Sequence, residues 1–186
     1  MRSHIVNVID VEATCYERNE FPAGETRDII EVGLCMVDLN KLSIVNTLSI
    51  AVVPTRSQVS PFCTELTGWT MAKLKRQGVS FAEACSRLTA KYGAQNRLLV
   101  TDSFGDVELI RQQCRELGLP CPLGPDHLNV ATWFQLASGD RKNIGLDAML
   151  ARFGLEFEGE RHRGWCDARN IARLLIELVK ASAIKI

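Results

Sequence analysis

No run of about 18 consecutive apolar residues occurs in the sequence, so no membrane-spanning helix and no membrane partner is expected. The N-terminus, Met1 to Val6, has neither a long apolar stretch nor a small-residue cleavage site. No secretory signal is expected there. The seven cysteines (Cys15, Cys35, Cys63, Cys85, Cys114, Cys121 and Cys166) contain no C-x-x-C pair, which excludes a zinc knuckle and a thioredoxin-type motif. An odd, scattered set reads as reduced thiols, and the expected location is cytoplasmic. A charge excess is also missing: 22 basic residues face 22 acidic ones, for a net charge of +0. Proteins that coat duplexes usually carry a basic excess. Any nucleic acid would therefore be gripped locally, at a strand end. No internal repeat, low-complexity stretch or linker interrupts the 186 residues. They are expected to form a single domain, residues 1–186, with a core that needs no disulfide or metal staple.

What is present is a pattern of short apolar segments. Ile5–Val11 is apolar and β-branched and reads as a buried strand. Residues 13–28 are polar with Pro and Gly and read as a loop. Ile29–Asp38 and Leu42–Val53 follow as strands joined by a short turn, the signature of an antiparallel meander. Short helices are predicted over Pro61–Gly68, closed by the glycine, and over Met71–Gln77. In Phe81–Tyr92 the residues Phe81, Ala84, Cys85, Leu88 and Tyr92 share one helical face. Arg97–Thr101 is a fourth strand. The helix after it carries Val107, Leu109, Ile110 and Cys114, with Asp106 as a possible cap. Leu128–Ala131 is a fifth strand. Trp133–Ala137, Gly145–Phe153 and about Asp167–Ala181 are helical. The order implies an α/β domain, a mixed sheet covered by helices.

The acids at strand and helix ends carry the chemical signal. Asp10 and Glu12 lie two apart on a strand, so their side chains share a face. Carboxylates that follow an apolar run are costly to bury unpaired. A hard cation such as magnesium or manganese removes that cost. Asp106 stands between a strand and a helix, and Asp167 near the start of the last helix. His162 lies five residues before Asp167 in a glycine-containing loop, where an imidazole could act as a base near neutral pH. Taken singly, each also fits a plainer role: a solvated strand end, a helix cap, a loop histidine.

Together, D-x-E, then D, then H-x4-D resembles the DEDDh 3′→5′ exonucleases. Longer stretches resemble the histone-mRNA and RNA-interference-regulating 3′ exonuclease branch, which has bacterial relatives. They are Asp10-Val11-Glu12-Ala13-Thr14-Cys15, Phe62-Cys63-Thr64-Glu65-Leu66-Thr67-Gly68, and His162-Arg163-Gly164 with Asp167-Ala168-Arg169-Asn170-Ile171-Ala172. The likeness runs from residue 5 to about 180. Two positions depart from the branch's pattern. Cys166 stands where a second Asp is common, and Phe104-Gly105-Asp106 lacks the tryptophan frequent near that Asp. Glu108 is a rival to Asp106.

The resemblance implies a ribonuclease H-like mixed five-stranded sheet flanked by helices. It implies two Mg2+ (or Mn2+) ions per active site, held by Asp10, Glu12, Asp106 and Asp167, with His162 as general base. Ala13 and Thr14 would meet the terminal 3′-OH through their backbone, and Leu66 and Thr67 would line the nucleoside. Phe104 and Phe21 are candidates to stack on bases. Arg161, Arg163, Arg169 and Lys142 are candidates to meet phosphates. The implied substrates are single-stranded RNA or DNA 3′ ends, the product a nucleoside monophosphate, and any targeting would come from a partner protein. Rival readings are an oligoribonuclease, a polymerase proofreading subunit, and a non-catalytic nucleic-acid-binding regulator. The Phe62–Gly68 segment argues against the first, and the filled acid and histidine positions argue against the last.

Overall fold

The computed structural model describes residues 4–139 and 144–182. Five strands form one mixed sheet: β1 (Ile5–Ala13), β2 (Ile29–Asp38), β3 (Ser43–Ala51), β4 (Leu99–Thr101) and β5 (His127–Asn129). Their order is β3-β2-β1-β4-β5. The expected meander is there, β1–β2 and β2–β3 pairing antiparallel, while β1–β4 and β4–β5 are parallel. The helices are α1 (Pro61–Thr67), α2 (Met71–Gln77), α3 (Phe81–Ala90), α4 (Gly105–Glu116), α5 (Val130–Ser138), α6 (Leu146–Ala151) and α7 (Gly164–Ala181). Among the described residues no helix is long and apolar enough to cross a membrane.

Strand β1 is apolar on both faces because both are covered. Val6 and Val8 pack with Cys35, Val37 and Val100 against α5, α6 and α7, through Phe134, Met149, Ile171 and Leu175. Ile9 joins Val32, Leu34 and Ile50 on the opposite face, under Phe81 and Leu88 of α3 and Val107 and Ile110 of α4. Since side chains alternate along a strand, Asp10 and Glu12 fall on the α7 face with Val6 and Val8. Glu31 and Gly33 fall on that same face of β2 with Cys35 and Val37.

A backbone contact fixes where α7 begins. A Cβ added to Gly33 would lie 1.9 Å from the carbonyl carbon of Gly164. A Cβ on Gly164 would in turn lie 3.1 Å from Gly33 N and 3.2 Å from the carbonyl oxygen of Asp10. The first turn of α7 thus rests directly on β1 and β2 at the level of Asp10, an approach that only glycine permits.

Some boundaries shift from expectation. The fifth strand ends at Asn129, whose side chain accepts from Thr132 N at 2.8 Å and so starts α5 at Val130. Helix α7 begins three residues before Asp167, and Asp106 lies in the first turn of α4 without capping it.

Candidate active site

Because β1 and β4 run parallel, their C-terminal ends meet on one edge of the sheet. Asp10 and Glu12 come from β1, Asp102 from the residue after β4, Asp106 from the first turn of α4 and Asp167 from the first turn of α7. Carboxylate oxygens of Asp10, Glu12 and Asp167 lie within 4.8 Å of one another, and so do those of Asp10, Asp102 and Asp106. The two sets share Asp10. Four of these acids are those expected from the sequence; Asp102 is the addition, although like Asp10 it stands at the end of a buried strand. The rival Glu108 is exposed and paired with Arg115 at 2.7 Å, which leaves Asp106 as the acid of this segment.

Local bonds aim the acids. Ser103 Oγ donates to Asp106 Oδ2 at 2.7 Å and accepts from Gly105 N at 3.1 Å. The backbone of Val11 also hydrogen-bonds the Asp106 carboxylate, joining α4 to β1. The Asp167 carboxylate takes backbone hydrogen bonds from Arg163 and His162.

These groups resist ionisation. Burial, then the charges of Asp106, Glu12, Asp167 and Asp102, pushes Asp10 well above the usual carboxylate range. Burial and then Asp167 raise Glu12 to about 8, against a smaller lowering by Arg163. Burial lifts Asp102 to about 6, with Asp106 adding to it. Asp167 also rises to about 6, mainly through burial. Burial raises Asp106 as well, although Ser103 and backbone donors oppose it. Like charges in a half-buried edge are what a divalent cation would relieve. Among the described residues, Asp167 Oδ2 is the one buried carboxylate oxygen without a hydrogen-bond partner. An open lone pair among converging hard oxygens fits a metal ligand.

His162 stands apart from the acids. Its residue is exposed, it belongs to neither carboxylate set, and its φ of +57° is left-handed. It touches the site through its backbone, at Asp167.

The expected substrate-contacting residues do not all converge. Thr14 is fully buried, with its N–H on Asp28 O at 2.8 Å and its hydroxyl accepting from Asp28 N at 2.9 Å. Of the Thr14 backbone expected to meet a 3′-OH, the N–H is therefore already taken. Thr67 is also buried, and its hydroxyl serves the end of α1, donating to Cys63 O at 2.8 Å and accepting from Trp69 N at 3.2 Å. Its side chain therefore does not line an open nucleoside site. Leu66 is 38% exposed, and Ala13 is half-buried at the end of β1. Phe21 borders a cavity of about 320 Å³ with Gly105, Leu109 and Arg27. Phe104, 63% exposed, borders a different one of about 500 Å³ with His127, Trp133 and Leu136. The two rings thus serve separate hollows on either side of the start of α4.

The proposed phosphate arginines are engaged within the chain. Arg161 pairs with Asp147 and lies over Phe157, Arg169 pairs with Glu158 at 3.1 Å, and Arg163 faces Glu31. Lys142 lies outside the described residues. Cys166 is buried and its sulfur lies 2.7 Å from where a Cβ on Gly159 would sit, so it packs against the loop that precedes His162.

Comparison with known proteins follows the same lines. A family model described as Exonuclease (RNase_T) matches residues 7–175. The chain is 28% identical over 183 residues to rat 3′-5′ exoribonuclease 1, covering 93% of this chain and 52% of that protein. It is 30% identical over 184 residues to human ERI1 exoribonuclease 3, covering 94% and 53%. The chain thus spans about half the length of the curated relatives it matches. Its fold matches the nuclease domain of 3′hExo, a DEDDh family member solved with rAMP bound, with a TM-score of 0.86 and 26% identity over 96% of this chain and 93% of that one. It also matches the 3′-exonuclease in a structure of 3′-end recognition of a histone mRNA stem-loop, with a TM-score of 0.83 and 26% identity over 96% and 64%.

Proposed function

The chain belongs to the exonuclease family, in its DEDDh class, and on that premise we propose that it removes single nucleotides from the 3′ ends of single-stranded nucleic acid. RNA is the favoured substrate, because the curated relatives named above are exoribonucleases. The observation that carries the proposal is the pair of carboxylate sets that share Asp10, together with the unpartnered oxygen of Asp167.

Asp10, Glu12 and Asp167 would hold one divalent ion, and Asp10, Asp102 and Asp106 a second, magnesium or manganese in both cases. When bound, such ions activate water and neutralise charge on the phosphodiester. The protein's own part is to fix the five acids on rigid strand ends and helix starts, and to anchor next to them, through its backbone, the loop that carries the base. His162 takes the proton of the attacking water. Its backbone bond to Asp167 sets the loop against the acid cluster. Water attacks the scissile phosphorus and the 3′ oxygen of the penultimate nucleotide leaves. Each cycle then yields one 5′-nucleoside monophosphate and a new free 3′-OH.

Digestion of 5′-labelled single-stranded RNA and DNA, with magnesium or manganese, tests this. The expected result is a ladder shortening from the 3′ end, absent for Asp10→Asn in protein of unchanged circular dichroism. Retained cleavage by Asp10→Asn, or cutting of a circular single strand, would overturn it.

A further inference from the structure

We propose that Glu31, Trp69 and Arg163 form a clamp that positions the loop bearing His162, so that Arg163 is a positioning residue for proton transfer and not a phosphate ligand. This rests on the assignment of His162 as the base.

Glu31 sits near the start of β2 with no exposed surface, opposite Glu12 of β1. A carboxylate there must find donors. Ser49 Oγ supplies one at 2.6 Å from β3, and Trp69 Nε1 another at 2.7 Å. The nearby cation is Arg163, whose Nε lies 3.9 Å from Glu31 Oε2. Trp69 follows Gly68, the left-handed residue that closes α1. Its ring is buried and lies 5.0 Å from the Arg163 guanidinium. The same guanidinium passes 3.7 Å from where a Cβ on Gly68 would be. Arg163 thus lies between a buried carboxylate and an aromatic face, a combination suited to a planar guanidinium, although its Nε makes no hydrogen bond there. Charge attraction and ring contact, not a hydrogen bond, keep it on this side of the loop.

What the clamp holds is the residue before it. His162 has φ +57°, a conformation that costs a non-glycine residue energy and persists only where its surroundings impose it. On its C-terminal side the chain is fixed three ways: by Arg163 on Glu31 and Trp69, by Gly164 on Gly33, and by the backbone bonds to Asp167. On its N-terminal side Glu160 and Arg161 are exposed. The first of those fixings is the one made by a side chain next to His162. Removing it should leave the acid cluster in place and loosen the imidazole.

The test is single-turnover cleavage of a 5′-labelled single-stranded oligoribonucleotide. The variants are Arg163→Met, Arg163→Lys, His162→Ala and the Arg163→Met/His162→Ala double. Magnesium affinity is followed in parallel by calorimetry. Arg163→Met should slow the saturated rate by roughly 10- to 100-fold, as misplacement of a reacting group does. KM should stay within about twofold and magnesium binding should not weaken, while Arg163→Lys should recover part of the rate. In the His162→Ala background, Arg163→Met should add nothing further. Trp69→Phe, which keeps a ring and removes the donor to Glu31, should show a smaller loss with the same dependence on His162, and it serves if Arg163→Met does not fold. A rise in KM with kcat unchanged, or an effect that persists in full without His162, would overturn the clamp and leave the base assignment standing. Wild-type cleavage by His162→Ala would overturn both.

Discussion

The price of gathering acids can be measured at Glu12. It is 9% exposed, and burial with neighbouring negative charge raises its pKa from 4.5 to about 8. At about 1.4 kcal/mol for each pH unit, full ionisation of this one carboxyl costs the folded state up to about 5 kcal/mol. At pH 7 the group is largely protonated when folded and ionised when unfolded, and the cost is about 3 kcal/mol by the same linkage. The acids titrate together, so this figure is a ceiling shared with Asp10 and Asp167. The sign follows from proton binding. Between pH 4.5 and about 8 the unfolded chain holds fewer protons at this position than the folded one, so stability falls as pH rises through that window and levels off above it. Glu12→Gln removes the charge and keeps the shape. In chelator at pH 7 it should melt up to roughly 6–12 °C above wild type, from about 2–4 °C per kcal/mol in a chain of this size. The gap should close near pH 4 and widen toward pH 8. Saturating magnesium should narrow it by stabilising wild type more than the variant. Melting curves by circular dichroism from pH 4 to 9, with and without magnesium, measure all of this. Equal melting temperatures at pH 7 in chelator, or a gap largest at low pH, would refute the reasoning.

Other outcomes follow from the same geometry. His162→Ala should slow single-turnover cleavage by about 10²–10⁴-fold, the loss expected of a general base, with magnesium affinity unchanged by calorimetry; loss of metal instead would make His162 a ligand. A substrate ending in a 3′-phosphate should resist digestion while its 3′-OH counterpart is consumed, as read on a denaturing gel. With a net charge of +0, and with Arg161, Arg163 and Arg169 each near an acid of the chain, the strand should be held by few basic residues. Log affinity against log salt should fall with a slope of roughly −1.5 to −3, from about two to four phosphate contacts at about 0.7 each; a slope beyond about −6 would reveal a basic track.

The carboxylates were legible in the sequence because each sits where an apolar pattern stops. A strand run ends at Asp10 and Glu12, and a helical face begins next to Asp106 and Asp167. The meander was legible for the same reason, since Ile29–Asp38 is apolar enough for both its faces to be covered. Asp102 escaped because it is one of two acids in a six-residue turn, and only the β1–β4 pairing shows that both face Asp10. Thr14 and Thr67 misled for another reason. A motif gives a residue's position but not what its polar atoms already bind: the Thr14 N–H and the Thr67 hydroxyl are both taken within the fold. The arginines are a similar case: the sequence offers them as candidates to meet phosphates, and each has a carboxylate brought near it by tertiary packing.

That last point bears on how, under the proposed function, a site of five acids would meet a polyanion in a chain of net charge +0. Nearby arginines could have neutralised the acids directly, but the structure spends them elsewhere. Arg163 lies 3.9 Å from Glu31 and has only a minor lowering effect on Glu12, Arg161 pairs with Asp147 and has only a minor lowering effect on Asp167, and Arg169 pairs with Glu158. The sharing of Asp10 between two sets and the unpartnered Asp167 oxygen therefore leave a site whose negative potential, as its acids ionise, these arginines offset only slightly. Such a site attracts cations and repels phosphate until cations occupy it. A fixed arginine would have made the edge a permanent anion site, open to any phosphate. Exchangeable cations would make the proposed strand binding conditional, because whatever tightens the metal in the presence of the strand must tighten the strand in the presence of the metal by the same factor. The unrelieved ionisation cost at Glu12 and the engagement of the arginines are then two sides of one arrangement.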